Sequence, residues 1–473
     1  MSAIHFGIIG YLLVVAIVAY VGRRKTVGVD GFLVAGRKMP IWVASFSLAA
    51  TLIGTGVTIG VGEMAYQSGL SAILYPVALA LALGISMWLA AARFREGEYY
   101  TLPEMCARFY GRKSRYVLAV SSTLRWIGPI AAQFVAIGAI VSTLTGWPIH
   151  ISIVLSAGLT IGYTVLGGIW AVSLTDVIQL VVVYLGLVLL MLVTMGRYGD
   201  MFTIVRDLPP VYSSWDGVGV LPLTAWLGSL MMIAFIDQPW MQLCASVRTP
   251  KCARKAGLIA AALVLPIGFI SVYTGLLARL TSPGLDPRMA VSSALVQNLD
   301  PLIAALAVAA IVAAGMSCAD SWLHSSSTVV VKDLYQELVD KNASEGRIHF
   351  VSMLATLVLG LMSLGLALIW QGGIIMLVML TGAWASVVYI GPVLVAWFSP
   401  RKILPNVGLG LMVLVLVVGT LILVRPPYVG GVHPNLSVTL IAFATTAVAV
   451  LLPWTSYRLA GRGRQEVAPA PGG

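Results

Sequence analysis

The chain has 473 residues, of which 59% are hydrophobic and only 10% charged, with a mean hydropathy of +0.95. This composition excludes an ordinary soluble domain and indicates a chain that crosses a bilayer many times. The net charge of +11 reflects basic residues placed in the gaps between apolar segments, so it reports membrane topology and anionic headgroups, not nucleic acid.

Thirteen apolar segments are long enough to span a bilayer: 4–22, 41–66, 70–92, 116–145, 148–166, 174–196, 221–246, 256–280, 301–330, 349–370, 372–398, 405–424 and 436–457. They predict an all-α polytopic membrane protein, with residues 1–457 as one transmembrane domain and 458–473 as a disordered cytoplasmic tail. The first segment has no basic residue before it, and Arg23-Arg24-Lys25 follow it, so it reads as a retained span with its N-terminus outside. On that topology 23 of the 29 Lys and Arg fall in cytoplasmic gaps and the tail, five fall outside, and one is left over. A multi-pass protein of the cell membrane is the expectation. No cysteine falls in an outside gap, and no disulfide is expected.

The one left over is Arg125. It lies about ten residues, or roughly 15 Å of helical rise, from the basic edge at Arg115. A guanidinium at that depth either binds a ligand or pairs with an intramembrane acid, for which Glu63, Asp176, Asp237 and Asp320 are the candidates.

Three spans carry unusual polarity or backbone freedom. Span two crowds Gly54, Gly56, Gly60 and Gly62 into its second half, which either interrupts the helix at a transport site or lets helices pack closely. Span six opens with Ser173-Leu-Thr-Asp-Val-Ile-Gln179 after Gly167-Gly168, and Asp176 is either a first-turn acid or the anionic partner of a bound cation. In span nine, Ser317, Ser321 and Thr328 share a helical face, with Asp320 and His324 as an i,i+4 pair beside it. Hydroxyls and an acid within four turns offer hard oxygen ligands to an alkali cation, although a single serine can also bond back to its own helix.

Several motifs in chain order resemble the sodium:solute symporter family from about residue 5 to about residue 400. They are Gly31-Phe-Leu-Val-Ala-Gly-Arg37, Ser47-Leu-Ala-Ala-Thr-Leu-Ile-Gly54 with Ala65-Tyr66 and Gly69, and Thr101-Leu-Pro-Glu104 with Arg108-Phe-Tyr-Gly111. Tyr163-Thr-Val-Leu-Gly-Gly168, Thr175-Asp-Val-Ile-Gln179, Asp237-Gln238, Met316-Ser-Cys-Ala-Asp-Ser321 and Asp333-Leu-Tyr335 complete the set.

The resemblance implies a LeuT-like core of two inverted five-helix repeats, about 41–196 and 221–398, with one extra helix before and two after. It also implies a sodium ion bound by carbonyls of Ala50, Ile53 and Ala314 and the hydroxyl of Ser317. Cys318 stands where a second hydroxyl is usual, and a thiol is the poorer ligand for a hard cation, unless water or Asp176 compensates. Asp320 and Ser321 match positions that shape a second cation site in some members; alternatively a proton drives transport, with Asp320 and His324 as the titrating pair. The Gln-Arg pair that often follows Asp-Gln on span seven here reads Gln242-Leu243, so the gating contacts of that arginine are not expected.

The substrate is expected between the middle of span two and spans three, four, seven and eleven. The candidates are Leu52, Gly54, Val57, Arg125, Trp126, Gln133, Asp237, Trp240, Gln371 and Trp384, with Trp240 and Trp384 read foremost as packing or interface aromatics. An arginine on the span matching that of Arg125 holds a substrate carboxylate in some acid-transporting relatives. The expected activity is therefore sodium-coupled import of a small polar solute that carries a carboxylate. The alternatives are a proton-coupled or sodium-independent transporter of an amine or sugar, and a transporter-like membrane sensor. An enzyme is not expected, because no metal-ligand spacing, nucleophile elbow or phosphate loop is present.

Overall fold

A computed structural model describes residues 3–215, 217, 228, 230–370, 377, 389–398 and 410. The helices are α1 (Ala3–Lys25), α2 (Gly28–Val34), α3 (Ile41–Leu52), α4 (Val61–Ser68), α5 (Leu74–Ser86) and α6 (Ala92–Glu96). They continue with α7 (Leu102–Tyr110), α8 (Arg112–Arg125), α9 (Ile127–Thr145), α10 (Ile149–Tyr198) and α11 (Met201–Arg206). The remainder are α12 (Gln238–Ser246), α13 (Pro250–Thr281), α14 (Ala290–Asn298), α15 (Pro301–Val329), α16 (Glu345–Ile369) and α17 (Tyr389–Phe398).

Among the described residues the only strand-like pairing is the isolated bridge between Met39 and Val247. Helices are what lipid demands, since each satisfies its own backbone polar groups. Among the described residues six helical runs are long and apolar enough to cross a membrane: Gly56–Glu96, Arg112–Thr143, Ile149–Tyr198, Pro250–Thr281, Leu302–Val339 and Glu345–Ile369. Span 436–457, the tail, all of 405–424 but Gly410, most of 372–398 and the first part of 221–246 lie outside the described residues.

The gap expected between spans five and six is a kink inside one helical run. At Gly168 the backbone turns to φ 64 and ψ −176, and the edge of Phe32 from α2 packs so closely that an added Cβ would meet Cδ2 at 2.6 Å. That conformation and that contact both require glycine. Asp176 sits two turns beyond the kink, within the helix, and is fully buried, so it is not a cap.

Span two separates the two readings of its glycines. α3 stops at Leu52, Ile53 leaves helical geometry at φ −83 and ψ 60, and the chain resumes through a wide turn at Gly56–Gly60 into α4. Gly62 instead serves packing: a Cβ on Gly275 of α13 would lie 2.1 Å from its carbonyl oxygen. Gly54 and Gly56 therefore accompany the break, while Gly62 lets α4 and α13 touch backbone to backbone.

Candidate functional site

The break in span two faces α15. Ser317 Oγ lies 3.1 Å from the Ala50 carbonyl and 3.0 Å from that of Ala314, so three of the expected cation ligands converge. These are hard oxygens suited to an alkali cation. Ile53 is the residue at which the helix opens. Cys318 shares the place, and its thiol leans chiefly to the carbonyl of Thr51 at 2.8 Å while remaining 3.7 Å from that of Ala50. It also fills the space beside Gly54, where a Cβ would be 2.4 Å from the sulfur.

Thr51 and Thr55 would form one backbone bond in an unbroken helix. Here the Thr55 amide donates to Gln133 Oε1 at 3.2 Å, and the Thr55 hydroxyl reaches the same oxygen at 2.8 Å. Gln133 thus braces α9 against the break.

A second polar cluster lies one turn along α15. Ser47 of α3 donates to Asp176 Oδ2, Ser321 Oγ lies 3.3 Å from the same oxygen, and Thr51 Oγ1 is 3.0 Å from Ser321 Oγ. Asp320 Oδ2 accepts from the Tyr163 hydroxyl at 2.6 Å, with Gln179 beside Tyr163 and Tyr11. Both aspartates are fully buried, and neither makes an ion pair among the described residues. His324 is not brought to Asp320. Its ring meets Phe32 edge-on at 5.4 Å and lies against the backbone of Phe32 and Leu33.

Arg125 ends α8, at the loosened turn before α9. It is 4% exposed, donates from Nη1 to the Ile236 carbonyl at 3.0 Å, and lies 4.3 Å over the ring of Trp126. Trp126 in turn stacks on Trp322 at 5.2 Å. Among the described residues Arg125 makes no ion pair; of its candidate acids Asp237 is the electrostatic neighbour. The Asp237 side chain caps α12 by accepting from the Trp240 amide at 3.2 Å. Leu52, Val57 and Trp240 are buried near the break and the cap, so Trp240 packs and does not face lipid. Gln371 and Trp384 lie outside the described residues.

Further contacts close the end of the bundle near α2. Gln242 Nε2 donates to the Leu33 carbonyl at 2.7 Å and to Thr328 Oγ1 at 2.8 Å, tying α12 to α2 and α15 without the missing arginine. Arg115 pairs with Asp333 at 2.5 Å and with Glu337 at 2.9 Å, and Thr101 Oγ1 donates to Asp333 at 3.0 Å. The Tyr100 hydroxyl, outside the spans, is pushed up to about 12 by burial and by its hydrogen bond to Asp30. Sequence reasoning gave no role to Ser47, Thr51, Thr55, Tyr163 or Gln179. Ser47, Thr51, Tyr163 and Gln179 stand inside the motifs, but the partners of Ser47, Thr51 and Tyr163 are more than a hundred residues away.

A broken helix braced against a polar helix is the arrangement of a secondary transporter. The sodium:solute symporter family model matches residues 32–403. The chain belongs to this family. It is 25% identical over 394 residues to a high-affinity choline transporter of Caenorhabditis elegans, covering 76% of this chain and 68% of that one. It is 28% identical to the Drosophila melanogaster choline transporter (76% of this chain, 61% of the relative) and 24% identical to the high-affinity proline transporter of Bacillus subtilis (78% and 81%). The chain thus spans less than two thirds of the fly relative's length. A sodium-coupled sialic acid symporter structure superposes with a TM-score of 0.80 at 22% identity, over 95% of this chain and 98% of that one. A nucleobase-cation-symport-1 transporter follows at 0.60 and 14% identity, over 90% and 95%. The fold is that of LeuT-like transporters. The protein is a multi-pass membrane transporter and not an enzyme.

Proposed function

We propose that the protein is a sodium-coupled symporter that imports a small carboxylate-bearing solute by alternating access. The observation that supports sodium is the convergence of Ser317 Oγ on the Ala50 and Ala314 carbonyls at the helix break. Sodium is cargo here, and its gradient is the driving force. Arg125 supports the carboxylate: it is buried, oriented by the Ile236 carbonyl and the Trp126 ring, and lacks an ion-pair partner among the described residues. A planar fork held in this way suits bidentate carboxylate binding. The names of the relatives, which include choline, proline, pantothenate and sialic acid transporters, set the range of solutes.

In this reading the N-terminus is outside, the C-terminus is cytoplasmic, and the protein lies in the cell membrane. The repeats run from about 41 to 196 and from about 221 to 398. Proton coupling is a second reading, favoured by two buried aspartates with no basic partner among the described residues and by the thiol at Cys318. Uptake of labelled organic acids, amines and sugars into proteoliposomes tests both. Uptake that follows an imposed sodium gradient supports the first reading. Uptake that ignores sodium and follows a proton gradient replaces it with the second.

A further inference from the structure

We infer that Cys318 is a positioning residue, which holds the helix break open as a hydrogen-bond donor, and that it shares this task with Gln133. One helical hydrogen bond is missing at the break. Continuing α3 would pair the Thr55 amide with the Thr51 carbonyl, and the break leaves both groups buried without each other. Each finds a different side chain. The Thr51 carbonyl has the Cys318 thiol at 2.8 Å, and the Thr55 amide has Gln133 Oε1 at 3.2 Å. The two residues come from α15 and α9, on separate elements, and they satisfy the two halves of the same broken pair.

This assignment changes what the thiol does. A hydroxyl at position 318 has a proton to donate to the Thr51 carbonyl and lone pairs left for a hard cation. A thiol donates but is a weak ligand for such a cation. An alanine does neither. The Ser317 hydroxyl and the Ala50 and Ala314 carbonyls then carry the cation, while Cys318 and Gln133 keep the break from closing back into a helix. Gly54 completes the fit, since any Cβ there would strike the sulfur.

The three residue types at 318 separate the two roles. The sodium arm of the test rests on the proposed symport; the sodium-free arm does not. In sodium-free buffer, Cys318→Ser should melt at the wild-type temperature, and Cys318→Ala should melt several degrees lower. Gln133→Leu should lose a similar amount, Gln133→Glu should keep its acceptor and melt near wild type, and the Cys318→Ala/Gln133→Leu pair should lose less than the sum of the two. Such coupling is what two halves of one opened bond produce. In a sodium titration of thermal stability, Cys318→Ser should respond at lower sodium than wild type, while Cys318→Ala keeps the wild-type midpoint. The inference is overturned if Cys318→Ala shifts the sodium midpoint but not the sodium-free melting temperature, because the thiol is then a ligand. Strictly additive losses overturn the shared role of Gln133. If no variant, wild type included, responds to sodium, the proposed symport fails while the sodium-free order still decides the role of Cys318.

Discussion

Ser47 on α3 donates its hydroxyl to Asp176 on α10, joining the intact half of the broken helix to the helix beyond the Gly168 kink. The two residues are 129 positions apart, and both are completely buried. An ionised carboxylate in a low-dielectric interior attracts a nearby cation strongly, and the sodium-coupled reading needs Asp176 in that form.

Asp176→Asn should therefore raise the sodium concentration needed for half-maximal uptake while the protein still folds, because the amide oxygen can still accept from Ser47. Uptake across a sodium titration measures this, with expression level as the folding control. An unchanged sodium curve would reduce Asp176 to a structural acceptor.

Ser317→Ala should abolish sodium-driven uptake. The variant loses the one side-chain oxygen at the convergence of the Ala50 and Ala314 carbonyls, and alanine is well accommodated in a helix. Radiolabel uptake with and without a sodium gradient reports the loss, and a wild-type sodium response would show that the cation sits elsewhere.

Arg125→Lys should weaken uptake strongly, because a point charge replaces an oriented fork. The melting temperature should change little, since no ion pair among the described residues is broken. If Arg125 were locked to Asp237, the variant removing its charge, Arg125→Gln, would instead cost about 3–5 kcal/mol of stability, and neutralising Asp237 would rescue it. Comparing uptake and melting curves for both variants distinguishes the outcomes.

Gly168→Ala should destabilise the protein by roughly 1–3 kcal/mol from its backbone conformation alone, a region open essentially to glycine, and by more through the contact with Phe32. Gly162→Ala, on the same helix and with no atom near the added methyl, is the control and should melt at the wild-type temperature. Equal melting of the two variants would mean that the kink tolerates a side chain.

The residues show what was legible and why. Glycines at 54 and 56 mark the break because backbone freedom is a property of the residue itself, and the hydroxyl-rich run of α15 is visible because helical periodicity gathers its side chains on one face. Arg125 stood out because charge at membrane depth is rare. Its anchor, the Ile236 carbonyl, was hidden, since a backbone oxygen carries no sequence signature. The contact of Gln133 with Thr55 was hidden because Thr55 lies on another span, and an amide side chain reads the same whether it meets ligand or backbone.

The sequence by itself determined the membrane class, the placement of basic residues between apolar segments, the glycine-crowded helix and the helix rich in oxygen ligands. Each of these follows from composition or from a period of a few residues. Only the tertiary structure decided that Asp320 is held by Tyr163 and not by His324, that spans five and six are one kinked run, and that Cys318 and Gln133 divide the Thr51–Thr55 bond. Those pairings depend on which helix faces meet across many tens of residues, and a local pattern fixes a face without naming its neighbour.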